Sequence, residues 1–405
     1  MKMVNVAILG FGVVGGGTAR LITDNREEIE RLTGDTVNIK YILDLRDFPD
    51  SPFADRIVHD FNIILEDPEV DTVIEVMGGS HPAYEFTVAS LKKGKNVITS
   101  NKEVVANFGD EFLAAAAASG VSYRFEAAVG GGIPVISPII SSVRHNKITE
   151  VRGILNGTTN YILTKMFSLG ESFEDSLCDA QERGYAERNP DADILGTDAA
   201  RKIDILAALV TGKLVPTDKI HTEGITNIRK ADVLAAERLG MKIKLLGRCI
   251  IEGEKVFVIV APFMLPSDSA LFGVSGVYNA VEVIGEPIGS VMFYGPGAGA
   301  GPTASAVVAD LTEIIASGRN YAVPTFTKDE GAASDISELV CASYIAFDGA
   351  CEACVKSVFG EVTFVESEDS VAFVTAPMSE KAACEKIARL ISERGATLKS
   401  RIRLV

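Results

Sequence analysis

The stretch "VNVAILGFGVVGG" at residues 4–16 limits the fold of this chain more than any other. A short apolar run ends directly in glycines, and "TARLITDNREEIERLTG" follows with helical spacing. Apolar run, glycine turn and helix read as the start of a strand–helix–strand unit. Within the turn, Gly10, Gly12 and Gly15 stand in G-x-G-x-x-G spacing. That pattern has force only in this position, after a strand and at the head of a helix. Gly10 permits the tight turn, Gly12 lets the backbone approach a pyrophosphate, and Gly15 lets helix and strand pack closely. Amides at the helix start then face the anion.

The same rhythm continues. "VNIKYILDL", "VDTVIEVMG", "GKNVITSN" and "VSYRFEAAV" read as strands, and "GDEFLAAAAASG" as a helix between Asn107 and Gly120. Alternation with short turns predicts a parallel, doubly wound sheet over residues 1–134. The tip of the second strand offers Asp44, Arg46 and Asp47. An acid there binds the ribose 2′-hydroxyl of NAD, and an arginine accepts the 2′-phosphate of NADP. Asp44 lies 29 positions after Gly15, later than the usual interval, because the helix between is long. Lys102 follows a strand at its C-terminal end, where open α/β sheets bind ligands. A solvated turn lysine is the competing reading.

A net charge of −16 argues against a nucleic-acid footprint and against charge-driven attachment to an anionic membrane. No apolar run reaches the ~18 residues needed to span a bilayer. Four of the six cysteines follow position 340, and no secreted disulfide framework is suggested, so a reducing, cytoplasmic setting is expected. Cys351 and Cys354 have C-x-x-C spacing, but their small-residue helix predicts buried thiols.

From Ile148 the pattern changes to mixed strands and helices. "SFEDSLCDAQERG" is a helix opened by Ser172 and closed by Gly184. After a linker, "TKDEGAASD", the last 70 or so residues read β-α-β-β-α-β, the ferredoxin-like order.

"RGYAERNPDADILGTDAARKIDI", Arg183 to Ile205, combines five carboxylates with a lysine. On a helix starting near Thr197, Ile203, Leu206, Leu209 and Val210 share one face. Lys202 projects within that apolar arc, with Asp198 one turn before it. A surface ion pair is the bland account. A neutral residue would fill the arc at less cost, however, and Glu187 and Asp193 lie close by in sequence. Ionisable groups turned inward near one point suggest a polar substrate site. The acids can hold an ammonium group, and Lys202 can protonate a developing oxyanion.

The segments "GFGVVG", "TSNKEVVA", "EAAVGGGIPVI", "GILNGTTNYILTKM" and "GYAERNPDADILGTDAARK", in this order, resemble homoserine dehydrogenase. The resemblance extends through "GPGAGAGPTASAVVADL" and covers about residues 3–320. It implies reduction of L-aspartate 4-semialdehyde to L-homoserine with NADP as cofactor and NAD as a possible second, on the route to threonine and methionine. By the same resemblance Lys202 is the acid–base lysine, Asp198 its partner, and Lys102 a second catalytic lysine between substrate and nicotinamide. Which lysine protonates the oxygen stays open. Glu187 and Asp193 hold the substrate's amino group, with Asn156, Gly157 and Thr158 beside them. Gly10, Phe11, Gly12, Val13, Val14, Gly15, Arg46, Ser100 and Lys102 form the cofactor set. Glu126, Val129, Gly131 and Ile133 match a monovalent cation site, for sodium, made mostly of main-chain carbonyls.

The implied architecture is a Rossmann-type dinucleotide-binding domain over 1–134 with a return helix at 302–320. An α+β catalytic and dimerisation domain follows over 135–301, and a ferredoxin-like, ACT-like domain over 333–405. A homodimer or higher homo-oligomer is implied. The C-terminal turn "FDGACEAC" has Gly349 but lacks the proline usual in ACT domains, which leaves open whether the module senses threonine or only dimerises. One rival is aspartate-semialdehyde dehydrogenase, which needs a nucleophilic cysteine. Neither Cys178 nor Cys249 sits at a glycine-rich strand–helix turn. A second rival, a non-catalytic sensor, leaves Lys202 and its acids without a purpose.

Overall fold

The computed structural model describes residues 2–317, 323–329, 331–367 and 369–405. They form two compact units: Met1–Lys147 with Asp204–Thr217 and Gly295–Asp329, and Ile148–Ile203 with Asp218–Tyr294 and Glu330–Val405. The boundary thus falls within the helix Thr197–Thr211, one turn of which separates Lys202 from Asp198 in the second unit.

In the first unit six parallel strands lie in the order Ile57–Val58, Thr36–Leu43, Met3–Leu9, Val70–Glu75, Asn96–Thr99, Tyr123–Arg124. The first strand of the chain is central, so the strand order reverses beside it. That reversal opens a crevice at the strand C-termini. Val6, Ile8, Ile42, Ile74 and Ile98 pack into one core with Val307 and Leu311. The latter two belong to the helix Ala300–Ser317, which returns to this sheet. Its approach is close: a Cβ on Gly17 would lie 3.1 Å from the Ala300 carbonyl oxygen. Positions 318–320 of the expected return helix lie outside the described residues.

Three local expectations change. The stretch after the glycines forms two helices, Val13–Asp24 and Arg26–Thr33, divided at Asn25. The helix expected from Asn107 begins instead at Lys102, because Asn101 caps it by accepting from the amides of Glu103 and Val104. "VSYRFEAAV" pairs in the sheet only at Tyr123 and Arg124, since a 3-10 turn over Glu126–Ala128 ends the strand.

In the second unit the strands Lys147–Ile154, Met241–Glu252 and Lys255–Pro266 are neighbours in one sheet. The C-terminal module runs strand Ser343–Asp348, helix Glu352–Phe359, strands Val362–Val365 and Val371–Thr375, helix Glu380–Arg394, strand Thr397–Leu404. Its strands stand in the order fourth, first, third, second, the ferredoxin-like arrangement. The module is not tethered only by a linker. Its last strand joins the sheet of the second unit, with Arg403 and Leu404 beside Phe263 and Met264 in parallel register.

The expectation of buried thiols at Cys351 and Cys354 is corrected: the two form a disulfide. Val355, Val358 and Phe359 make the apolar face of that helix. Cys351 is its N-cap, outside that face and exposed, and Cys354 is only partly buried.

Where the module meets the strand Lys255–Pro266, Arg403 is 2% exposed. It donates to Glu380 through Nε at 3.0 Å and Nη2 at 2.8 Å, and through Nη2 to Glu223 at 2.8 Å. Removing one partner of a buried charge cluster leaves the others uncompensated. Arg403→Met should therefore lower stability by about 3 kcal/mol, with Arg401 still pairing Glu380 at 2.8 Å and softening the loss. Urea unfolding of the full chain measures this, and an unchanged midpoint would contradict it.

Candidate active site

The glycine turn in the first unit has the geometry an anion needs. Gly10 has φ +96°, a conformation that side chains disfavour, and a Cβ there would lie about 3 Å from Met77. A Cβ on Gly15 would fall 1.9 Å from the Gly10 carbonyl oxygen, so only glycine lets the helix Val13–Asp24 start so near the strand. At Gly12 nothing lies within 4 Å, and both Gly12 and Val13 are exposed.

Asp44 stands one residue beyond the second strand, and its Oδ2 accepts from the Phe11 amide at 2.9 Å. Arg46 returns onto the same carboxylate, Nε to Oδ1 at 3.0 Å and Nη2 to Oδ2 at 3.1 Å. The Arg46 hydrogen bond, against the effect of burial and with help from the Phe11 amide, brings Asp44 down to about 2. Glycine turn, acid and arginine therefore form one polar rim. Asp47 is drawn off to His59 at 3.1 Å. Ser100 donates its amide to the Glu75 carbonyl, and Lys102 opens the next helix. Sequence reasoning missed Glu75, a fully buried acid at the end of its strand that accepts from Thr99 at 2.6 Å and from the Met77 amide at 2.9 Å. Burial raises its pKa.

The expected cation segment lies in the same unit. The Glu126 carboxylate accepts from the amides of Val135, Ile136 and Ser137 at 2.6–2.8 Å. Its side chain is thus committed to the backbone. Gly131 has φ +58°, and a Cβ there would meet the Gly297 carbonyl oxygen at 2.5 Å. Val129, Gly131 and Ile133 are buried, and among the described residues no hydrogen bond reaches their carbonyls. Buried carbonyls left over in this way suit a hard monovalent cation. Among the described residues no cluster of three His, Cys, Asp or Glu could hold a metal through side chains.

In the second unit, the loop before the lysine helix converges with the N-terminus of the helix Gly157–Leu169. Asn156 caps that helix by accepting from the Thr159 amide, and its own amide group donates to two acids. Nδ2 reaches Asp193 Oδ1 at 2.6 Å and Asp198 Oδ2 at 2.9 Å. Lys202 Nζ donates to the same Asp198 Oδ2 at 2.7 Å and to the Leu155 carbonyl at 2.7 Å. Two of its three N–H groups are used. The third has no partner among the described residues, on a side chain 12% exposed. Burial raises the Asp193 pKa, the Asn156 bond opposes this, and the Asp198 charge adds to it.

Thr158 donates to the Tyr185 carbonyl at 2.6 Å, which ties the loop to the helix. Gly157 allows close passage of the Val277 carbonyl, 2.7 Å from where a Cβ would be. Glu187 is exposed, and Gln181 holds its carbonyl at 3.0 Å. The structure thus brings Asn156, Asp193, Asp198 and Lys202 into direct contact and leaves Glu187 at the rim of that loop. The Leu155 carbonyl was invisible in the sequence, because a main-chain acceptor carries no residue signature.

A doubly wound sheet with an open glycine turn, and a lysine held among carboxylates, define a nicotinamide-dependent oxidoreductase of a small polar substrate. Two family models match the chain: "Homoserine dehydrogenase, NAD binding domain" at residues 10–126 and "Homoserine dehydrogenase" at 134–312. The chain belongs to the homoserine dehydrogenase family, NAD(P)-dependent enzymes that interconvert L-aspartate 4-semialdehyde and L-homoserine. It is 39% identical over 349 residues to the homoserine dehydrogenase of Bacillus subtilis, covering 83% of this chain and 80% of that one. A solved homoserine dehydrogenase from Thiobacillus denitrificans superposes with a TM-score of 0.90 at 33% identity, covering 100% of this chain and 98% of the other. A hyperthermophilic archaeal homoserine dehydrogenase mutant in complex with NADPH matches at TM-score 0.68 and 28% identity, over 80% of this chain and 100% of its own. No helix among the described residues is long and apolar enough to cross a membrane.

The cation segment generates a pH test. Asp310 accepts from the Glu126 amide at 2.9 Å, and burial, then the Glu126 charge, pushes it up to about 8 from 3.8. The folded chain keeps this proton while the unfolded chain loses it above 3.8. The stability it contributes is therefore full below pH 3.8 and falls as pH rises toward about 8. Asp310→Asn should match the parent in acid and exceed it increasingly toward pH 8. Thermal midpoints across that range test this, and a constant difference would contradict it.

Proposed function

We propose that Lys202 gives the proton to the aldehyde oxygen during reduction and takes it back during homoserine oxidation. The supporting observation is the arrangement of its ammonium: two donors fixed on Leu155 and Asp198, the third turned to no residue described here. Bound nicotinamide supplies or receives the hydride. Asp198 keeps the lysine in place, and Asn156 keeps Asp198 and Asp193 together. Asp193 and Glu187 bind the substrate ammonium. Gly157 and Thr158 shape the floor beside them. Lys102, first residue of its helix, is the second candidate for the proton and also serves the cofactor side with Ser100.

Phe11, Val13 and Val14 line the glycine turn on which the pyrophosphate rests, and Arg46 reads the 2′-phosphate of NADP. NAD is a second cofactor. A monovalent cation, sodium, sits on the carbonyls of Glu126, Val129, Gly131 and Ile133. The enzyme works in the cytoplasm as a homodimer or higher homo-oligomer. Its C-terminal module answers to an amino acid, with threonine the first candidate.

Lys202→Ala should lower kcat by about a hundredfold or more while nicotinamide binding survives, the usual worth of general acid catalysis. Glu187→Ala should instead chiefly raise KM for homoserine. Near-normal turnover of a folded Lys202→Ala enzyme would remove the lysine from the chemistry. For the cofactor, Arg46→Ala should weaken NADP more than NAD, because a guanidinium forks onto a phosphate and has less to gain from a hydroxyl. Fluorescence titration with both nucleotides measures this. Equal losses would show that Arg46 does not read the phosphate.

A further inference from the structure

The disulfide pair Cys351 and Cys354 lies in the C-terminal module and belongs neither to the cofactor rim nor to the lysine site. A disulfide that staples a fold joins segments far apart in the chain, because the entropy it removes from the unfolded state grows with the loop it closes. This one has a sequence separation of 3. It ties the N-cap of the helix Glu352–Phe359 to the first turn of the same helix. The core of the module is built elsewhere, from Ile345, Phe347, Val355, Phe373 and Leu390. The bridge therefore holds little that would come apart if it opened.

The two sulfurs stand in different surroundings. Cys351 is exposed, and Gly349, Ala350 and Ala353 beside it are small. Cys354 is half-buried and packs against the module's core. A thiol arriving from solvent thus meets Cys351 first, and Cys354 is sheltered behind it. Cys351 also stands at the head of a helix, where free amides and the helix dipole favour a thiolate. One such amide is already in place: the Cys354 N–H donates to Cys351 Sγ at 3.2 Å. Cys341 of the same module shows the contrast. Burial, then the charge of Glu380, pushes its thiol up to about 11 from 9.0, so it stays protonated.

We propose that Cys351 and Cys354 are a redox-active pair that exchanges with low-molecular-weight thiols and their disulfides, with Cys351 as the sulfur attacked. A thiolate from solution bonds to Cys351 Sγ. The Cys351–Cys354 bond breaks, and its electron pair leaves on Cys354 Sγ, which takes up a proton. A second thiolate attacks the incoming sulfur of this mixed disulfide, and Cys351 leaves as a thiolate under the Cys354 amide. Two small thiols have then become one disulfide, and the protein disulfide has become two thiols. Closure runs the same steps backward, with the disulfide of the small thiol as oxidant. The exchange needs neither nicotinamide nor homoserine, so it is a second chemistry on the same chain.

The test uses the full-length enzyme carrying Cys178→Ser and Cys384→Ser, which removes the other two exposed thiols. The protein is equilibrated in mixtures of reduced and oxidised glutathione, quenched in acid and alkylated, and the state of each cysteine is read by peptide mass. Homoserine turnover is the check on folding, since none of these cysteines touches substrate or cofactor. The expected result is a passage from disulfide to dithiol between the oxidised and reduced ends of the series. A pair that stays closed in reduced glutathione alone is a staple, and a pair that never closes is two separate thiols. Either result overturns the proposal. Cys354→Ser should then keep glutathione on Cys351 as a lasting mixed disulfide. Cys351→Ser, which leaves a hydroxyl at the cap, should be labelled at Cys354 about tenfold more slowly or less. Equal labelling in the two variants overturns Cys351 as the attacked sulfur.

Discussion

Two carboxylates brought close to one another repel, and one of them tends to take up a proton. The site of this enzyme depends on how that repulsion is relieved. The single amide of Asn156 donates to Asp193 at 2.6 Å and to Asp198 at 2.9 Å, and Lys202 adds its charge to Asp198 at 2.7 Å. One neutral side chain thereby joins Asp193 to Asp198, the acid that holds the lysine. Asn156 can do so because it is also a helix cap, with its oxygen fixed by the Thr159 amide at 2.9 Å. A cap that ends a backbone problem at one side solves an electrostatic one at the other.

Fixing Lys202 has consequences for the rest of the second unit. Its other acceptor, the Leu155 carbonyl, directly follows the strand Lys147–Ile154, which pairs with Met241–Glu252. The lysine helix lies against that sheet at Gly247, where a Cβ would approach the Ile203 side chain to 3.0 Å. Sheet, cap and lysine are set by one another. The Glu223–Arg403 contact extends the same frame to the C-terminal module. In general a proton donor needs this kind of fixed surrounding, since the gain from orientation is lost when the donor wanders.

Much of this was legible in the sequence, and the reasons are specific. Gly10, Gly12 and Gly15 were readable because backbone constraints leave glycine no substitute, and the 1.9 Å approach at Gly15 is that constraint in numbers. Lys202 was readable because a charge within an apolar arc contradicts the helix pattern. The Asn156 bridge was not, because an amide at a helix start reads first as a cap. Neither was the joining of the last strand to the sheet of the second unit, since register between distant strands leaves no local pattern. The Cys351–Cys354 disulfide was misread because small residues around it suggested a core face, whereas Cys351 lies at the cap position.

The central claim is that a proton leaves Lys202, and chemical rescue tests it most directly. Lys202→Ala removes the ammonium and leaves space beside Asp198 and Leu155 for a small amine. Activity of that variant should return as methylammonium is added, and should not return with tetramethylammonium, which carries the same charge and has no proton to give. Equal restoration by both cations would reduce Lys202 to an electrostatic role. No restoration by either, together with amine rescue of Lys102→Ala, would move the proton transfer to Lys102.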